Sequence, residues 1–127
     1  MVIKVAGALL KHEDKYLICR RNLKGDMPGL WEFPGGKVEV GESPKECIRR
    51  ELKEELDIDA KIGNIFTRYT FSYTHATYHL FFYDILSFQG IMKMNVHDNI
   101  KWETVNRFKH YDFLPGDIPL IKKILLK

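Results

Sequence analysis

The chain has 127 residues, enough for one ordinary domain with a buried core, and its 45% apolar content excludes an intrinsically disordered chain. The formal net charge of +3 is too small for a nucleic-acid-binding surface, so no nucleic-acid partner is expected. No apolar stretch is long enough to span a bilayer and the N-terminus lacks a secretory cleavage pattern, so we expect no membrane partner and a cytoplasmic location.

The strand-like segments share β-branched and aromatic residues bounded by turn residues: 2–11, 15–21, 30–33, 58–66, 69–73, 78–86 and 99–103. The first two of these predict a hairpin or two adjacent strands, because only a short polar stretch separates them. The aromatic-rich segments 69–73 and 78–86 predict a second hairpin. The Gly- and Pro-containing stretch 22–29 predicts a loop.

Two helices are predicted, over residues 43–57 and 118–126, the second after a turn at Pro115–Gly116. Ser43 suits the N-cap of the first helix, Pro44 its first position, and Glu46 completes a capping box. The predicted buried stripe of this helix consists of Ile48, Leu52 and Leu56. Its predicted solvated face consists of Lys45, Arg49 and Lys53. Many strands with two well-separated helices predict one α+β domain over residues 1–127, an α/β/α sandwich whose helices flank a mixed central sheet.

Three glutamates, Glu51, Glu54 and Glu55, share one side of the first helix because of their i, i+3 and i+4 spacing. They repel one another, and they lie in the C-terminal half of the helix, where its dipole disfavours anions. A hard divalent cation would reverse both effects. Mg²⁺, with Mn²⁺ as the alternative, prefers such oxygen ligands.

The same glutamates are also typical of an ordinary solvated helix, in which Arg50 would pair with Glu46 and Glu54. On the glutamates alone this interpretation is favoured. The preceding Gly35–Gly36 pair changes the balance, because a glycine backbone can approach a ligand closely at the entrance to a well-capped helix.

The segment 36–58 resembles the Nudix box, written GX5EX7REUXEEXGU with U a bulky aliphatic residue. The matching residues are Gly36, Glu42, Arg50, Glu51, Leu52, Glu54, Glu55 and Ile58. Asp57 stands where the family has glycine, which suits a left-handed residue closing the helix, and we expect a small loss of stability there rather than of function. The flanking Arg20–Arg21 and GLWEFPGGK are similar to the MutT branch of the family, and FLPGDIPLI is similar to the tails of MutT-type and CTP pyrophosphohydrolase-type members.

This resemblance implies a Nudix fold and metal-dependent hydrolysis of a nucleoside triphosphate to the monophosphate and pyrophosphate. The implied metal ligands are Glu51, Glu54, Glu55 and the Gly35 carbonyl. Arg50 would orient the ligand glutamates by salt bridges, and Glu42 would be a supporting acid, with a surface acid favoured by the helix dipole as its alternative. Glu54 or Glu55 would act as the base through metal-bound water.

One loop departs from the MutT pattern. MutT-type members often carry a glutamate before the last strand, and Val96 stands at that position here. The role of that acid as general base or additional metal ligand is therefore in doubt for this chain. His97 and Asp98 are alternatives for the role, although a solvated loop residue is the favoured interpretation of each.

The resemblance also implies a base pocket, with Arg21, Phe33, Phe71, Tyr73 and Asp117 as substrate-binding candidates. Core packing is the alternative for the aromatic residues, helix N-capping for Asp117, and an ordinary exposed arginine for Arg21. An ionised Asp117 could accept two hydrogen bonds from guanine, which favours 8-oxo-dGTP. The likeness of the tail to CTP pyrophosphohydrolases favours CTP or 5-methyl-dCTP instead, and these are the alternative to 8-oxo-dGTP, the preferred substrate.

Two further interpretations compete with this one. The chain could act on another Nudix substrate, such as a dinucleoside polyphosphate or a nucleotide sugar, or it could be a non-catalytic module that senses nucleotides. Retention of all the acidic residues argues against the second interpretation. The number of metal ions and the oligomeric state, monomer or homodimer, are not fixed by the sequence.

Overall fold

The structure is a computed structural model that describes residues 2–127 and has an α+β architecture. The strands are β1 (Val2–Leu9), β2 (Lys11–His12), β3 (Lys15–Arg20), β4 (Trp31–Glu32), β5 (Gly35–Lys37), β6 (Asp59–Ser72), β7 (Thr77–Gln89) and β8 (Asn99–Thr104). The helices are α1 (Pro44–Leu56) and α2 (Ile118–Leu125), with short 3₁₀ helices at Val105–His110 and Pro115–Asp117.

The strands form two sheets. The mixed sheet has the order β5-β1-β7-β6, with β1 parallel to β7 and the other pairs antiparallel. The second sheet is antiparallel, and β3 pairs with β2, β4 and β8. The first predicted hairpin is therefore confined to β2 and the start of β3, since β1 lies in the mixed sheet.

Two hydrophobic clusters occupy opposite faces of the strands, because side chains alternate along β1 and β3. Ala6 and Ala8 of β1 belong to the cluster that contains Ile48, Leu52 and Leu56 of α1, which confirms the predicted buried stripe. Leu9 belongs to the other cluster, together with Leu120, Ile121 and Ile124 of α2. The two helices thus contribute to different clusters, as expected for a sandwich.

The ends of α1 follow the sequence closely. The Ser43 side chain accepts a hydrogen bond from the Glu46 amide, and the Glu46 side chain accepts one from the Ser43 amide, so the capping box is confirmed. Asp57 closes the helix with φ 57° and ψ 38°, the left-handed conformation expected at the position where the family has glycine. Its carboxylate lies 3.2 Å from the Lys53 ammonium, which lowers the pKa of Asp57.

Several element boundaries differ from the predictions. Strand β6 is continuous across residues 66–69, with irregular pairing to β7 between Lys61 and Thr67 that accommodates the extra residues. Strand β5 forms just beyond the predicted strand 30–33, because its backbone pairs with β1 and this pairing needs no side-chain preference. In the described part of the chain, neither helix has the length and apolar character of a membrane span.

Candidate active site

A cavity of about 690 Å³ brings together residues from distant parts of the chain. Its lining includes Glu55 of α1 and the β5 glycines Gly35 and Gly36. The same cavity is lined by Tyr73, just after β6, and by Asp117, just before α2. Acidic groups near α1 and a separate buried carboxyl group therefore face one space.

Arg50 connects acidic side chains of α1 with one in the loop before it. Its Nε and Nη2 atoms donate to the two Glu42 carboxylate oxygens at 2.7 and 2.9 Å, and its Nη1 donates to Glu51 at 2.8 Å. A longer contact of 3.3 Å joins Nη1 to Glu54. The expected Arg50–Glu46 pair is absent from the described ion pairs, because the Glu46 carboxylate is used in the capping box.

The pairing with Arg50 explains the electrostatics of Glu42. The hydrogen bond from Arg50, followed by the one from the Glu39 amide, lowers the pKa of Glu42 to about 2. The Glu42 side chain is only 14% exposed, so it is bound within this network rather than free at the surface. The geometry matches the supporting position that the family resemblance implies, and its role in catalysis stays a prediction.

Glu55 is the most deeply buried of the three glutamates. Burial, followed by a hydrogen bond with Glu51 and the charge of Glu32, raises the pKa of Glu55 to about 10. Its Oε1 atom is buried and has no hydrogen-bond partner among residues 2–127. A carboxyl group in this position, close to other carboxylates, is a poor site for an unbalanced negative charge and a suitable one for a cation.

The glycines of β5 allow this close packing. A Cβ atom at Gly36 would overlap the Glu51 carboxylate, and a Cβ atom at Gly35 would overlap the Ala6 carbonyl of β1. The absence of side chains at both positions therefore lets the strand approach β1 and α1 directly. The predicted close approach of this backbone to a ligand stays a prediction.

These residues fit a divalent metal ion by their chemistry. Within residues 2–127, no three His, Cys, Asp or Glu side chains form a preformed metal-binding site. Arg50 holds Glu51 and Glu54, while Glu54 is 56% exposed. Mg²⁺ commonly binds through one or two carboxylates, retained water and substrate phosphates, so this oxygen-rich donor set with a buried free oxygen suits it.

A second polar network, which the sequence reasoning missed, crosses the cavity wall. Glu32 of β4 accepts a hydrogen bond from Arg21 at 2.8 Å through one oxygen and lies 2.8 Å from His97 Nε2 through the other. The only sequence signal for Glu32 was its position in the GLWEFPGGK segment, which resembles the MutT branch of the family. Arg21, a candidate substrate-binding residue, lines the cavity. Its guanidinium group forms an ion pair with Glu32.

The loop at residues 95–98 also differs from its sequence interpretation. His97 is only 5% exposed and lines the cavity, so its interpretation as a solvated loop residue is wrong. Its Nδ1 atom is buried and has no hydrogen-bond partner within residues 2–127. Asp98 is paired with Arg20 at 2.7 Å, and Val96 lines the cavity without any titratable group.

Asp117 is buried, and its side chain does not cap α2, so the N-cap interpretation is wrong. One carboxyl oxygen, Oδ2, instead accepts a hydrogen bond from the Phe33 amide at 3.0 Å. Burial, partly opposed by that hydrogen bond, raises the pKa of Asp117 to about 7. Near neutral pH this side chain can therefore exist as a carboxyl group that donates as well as accepts.

The aromatic candidates are placed differently from one another. Phe33 is 4% exposed and belongs to the core cluster, although it also lines the cavity. Phe71 packs against that cluster and against the Tyr73 ring at 5.0 Å, and it is not among the described residues that line the cavity. Tyr73 does line the cavity, and its hydroxyl accepts a hydrogen bond from the Gly116 amide at 2.8 Å.

Comparison with known proteins places these observations in a family context. A family model described as NUDIX domain matches residues 2–124. The chain is 32% identical over 124 residues to a CTP pyrophosphohydrolase of Escherichia coli (strain K12), covering 98% of this chain and 92% of that protein. It is 30% identical over 125 residues to an 8-oxo-dGTP diphosphatase of Haemophilus influenzae, with the same coverages of 98% and 92%. A crystal structure of a MutT protein from Methanosarcina mazei Go1 has a TM-score of 0.84 and 26% identity, covering 99% of this chain and 96% of that one.

Proposed function

Because the chain belongs to the Nudix family of hydrolases, which act on phosphoanhydride bonds, we propose that its cavity converts a nucleoside triphosphate into the monophosphate and pyrophosphate. The observation that carries this proposal is that one cavity contains both the Glu55 side of the acidic helix and the buried Asp117 carboxyl group. The acidic helix suits binding of the phosphates through a metal ion, and the Asp117 carboxyl group suits binding of the base.

Hydrolysis of a phosphoanhydride requires neutralised phosphate oxygens and a water molecule held in line with the bond that breaks. Divalent metal ions, which Nudix hydrolases generally use, supply positive charge and lower the pKa of water. For this chain we propose Mg²⁺, with Mn²⁺ as the alternative. The residues that would hold it are Glu51, Glu54, Glu55 and the Gly35 carbonyl.

The protein contributes orientation and proton transfer. Arg50, fixed by two hydrogen bonds to Glu42, restrains Glu51 and Glu54 on its other side, so these carboxylates need little rearrangement. We propose that Glu54 accepts the proton of the attacking water, or Glu55 if a bound cation lowers its raised pKa and ionises it.

The surroundings of Asp117 change the argument about the base. The preference for guanine assumed an ionised carboxylate with both oxygens available, whereas Oδ2 is bound to the Phe33 amide and the pKa is raised to about 7. Through its free oxygen Oδ1, a protonated Asp117 can donate one hydrogen bond to the cytosine ring nitrogen N3, a contact that does not need Oδ2. We therefore propose a cytosine nucleoside triphosphate, CTP or 5-methyl-dCTP, as the preferred substrate, with 8-oxo-dGTP as the competing candidate.

The two candidates predict opposite pH dependences. Cytosine needs the protonated Asp117, so the ratio of kcat/KM for CTP to that for UTP should fall as the pH rises through about 7. Guanine needs the ionised form, so a preference for 8-oxo-dGTP over CTP should increase over the same range. Ratios between substrates in one enzyme cancel the pH dependence of the shared hydrolytic step.

The experiment measures kcat/KM for CTP, UTP, dGTP and 8-oxo-dGTP between pH 6 and 8 with Mg²⁺. Asp117→Asn is the matched variant, because its amide keeps a donor and an acceptor but does not titrate, so its CTP to UTP ratio should not change with pH. A pH-independent ratio in the unmodified protein would remove the support for cytosine.

The products test the reaction itself. Hydrolysis of CTP in ¹⁸O-labelled water, followed by chromatography and mass spectrometry, should give CMP and pyrophosphate. CDP and orthophosphate as the main products would contradict the proposed cleavage site. No Mg²⁺-dependent hydrolysis of any triphosphate would favour a different Nudix substrate or a non-catalytic module.

A further inference from the structure

The short segment before α2 is held by two tyrosines, one in β6 and one just after it, that contact the same glycine. The Tyr69 hydroxyl donates to the Gly116 carbonyl at 2.6 Å. The Tyr73 hydroxyl accepts from the Gly116 amide at 2.8 Å. Both hydrogen-bonding groups of one backbone residue are thereby bound by side chains from a distant segment.

The two tyrosines are held in place by separate contacts. Residue 69 lies in β6 and residue 73 is the first residue after it, and both hydroxyl groups reach Gly116, so the two side chains point to the same side. The Tyr69 ring is fixed from behind by Phe82 of β7, with which it stacks at 5.9 Å. The main chain of Tyr73 is fixed by the hydrogen bond from its amide to the Ala76 carbonyl.

Gly116 leaves little room for a larger residue beside the Tyr73 hydroxyl group. A Cβ atom at Gly116 would lie 2.8 Å from the Tyr73 hydroxyl oxygen, closer than a carbon atom normally approaches it. A side chain there would have to push the tyrosine away or rotate the peptide. The glycine and the two tyrosines are therefore matched to one another.

The bound glycine immediately precedes Asp117. The Gly116 carbonyl that Tyr69 binds belongs to the peptide group joining Gly116 to Asp117, so this contact limits how the Asp117 backbone can rotate. The Asp117 amide donates to the Leu114 carbonyl at 3.0 Å, and its Oδ2 accepts from the Phe33 amide. Among residues 2–127, no hydrogen bond is described for Oδ1, which leaves this atom for a ligand.

We propose that Tyr69 and Tyr73 are positioning residues for base selection, which hold the Asp117 carboxyl group in the orientation that recognises the nucleobase. This inference rests on the proposed role of Asp117 and extends it to residues that need not touch the base themselves. It also gives Tyr73 a function other than base stacking, since its hydroxyl is directed to Gly116.

The variants Tyr69→Phe and Tyr73→Phe test this role because each removes one hydroxyl group and keeps the ring. The discriminating quantity is the ratio of kcat/KM for CTP to that for UTP, two substrates that share the sugar and phosphates. We expect either variant to reduce the ratio by about three- to tenfold, the equivalent of one lost hydrogen bond, through KM rather than kcat. Gly116→Ala should reduce it in the same direction.

A double-mutant cycle separates positioning from general stability. In an Asp117→Ala background the tyrosine substitutions should no longer change the substrate ratio, because the group that they position is absent. Tyr111→Phe is the matched control, since its hydroxyl donates at 2.6 Å to Glu103 and it is not among the cavity-lining residues. That variant should lower the melting temperature and leave the ratio unchanged.

The outcomes distinguish this inference from the proposal on which it rests. If Asp117→Ala leaves the substrate ratio unchanged, the proposed base recognition by Asp117 is wrong. If Asp117→Ala changes the ratio while Tyr69→Phe and Tyr73→Phe leave it unchanged, only the positioning role is wrong. Equal effects of the tyrosine variants with and without Asp117 would also overturn the positioning role.

Discussion

Replacement of Glu55 by glutamine should separate activity from stability. Glutamine keeps the size of the side chain and removes its ability to ionise. Glu55 is deeply buried beside Glu51, and Oε1 has no partner among the described residues. If Glu55 holds a metal ion or accepts the proton of water, we expect turnover to fall by at least about a hundredfold.

The same Glu55→Gln substitution that lowers turnover should raise the free energy of unfolding. The pKa of Glu55 is raised to about 10 in the folded chain, whereas an unfolded glutamate has a pKa of about 4.3. An acid whose pKa is raised by folding contributes a stability that is present below the unfolded value and lost as the pH rises toward the folded value. At pH 7, about 2.7 units above the unfolded pKa, the Glu55→Gln variant should therefore be more stable by at most about 4 kcal/mol.

Two assays measure these effects. Pyrophosphate release from CTP with Mg²⁺ reports turnover, and urea unfolding in the presence of a chelator reports stability between pH 5 and 8. Glu13→Gln, on the exposed turn between β2 and β3, is a control for removing a negative charge. Near-normal turnover in Glu55→Gln would refute the role of Glu55, and a less stable variant at pH 7 would refute the electrostatic reasoning.

Three further substitutions test the surrounding structure. Glu42→Gln weakens the two hydrogen bonds that fix Arg50 and should raise the Mg²⁺ concentration for half-maximal activity about tenfold; an unchanged Mg²⁺ titration would contradict this. In Gly36→Ala the new methyl group displaces the flexible end of Glu51, so turnover should fall by about a hundredfold while circular dichroism shows an intact fold; full activity would exclude a role for this close contact. Ser43→Ala removes the helix cap and should cost about 1 kcal/mol of unfolding free energy with unchanged turnover, and an unchanged urea midpoint would refute the expected contribution of the cap.

The sequence by itself determined the features that depend on neighbours along the chain. The capping box of Ser43 and Glu46 requires groups only three residues apart, and its pattern is readable directly. The buried stripe of α1 follows from helical periodicity. The left-handed Asp57 follows from its place after the last turn, and the resemblance to the Nudix box provided the family.

The tertiary structure decided the features that depend on distant contacts. His97 and Glu32 are 65 residues apart, and only the pairing of β3 with both β4 and β8 brings them together. Asp117 meets the Phe33 amide across 84 residues, which turns an expected helix cap into a buried group with a raised pKa. The burial and hydrogen-bond partners of a side chain set its chemistry, and they are fixed only when distant segments pack against one another.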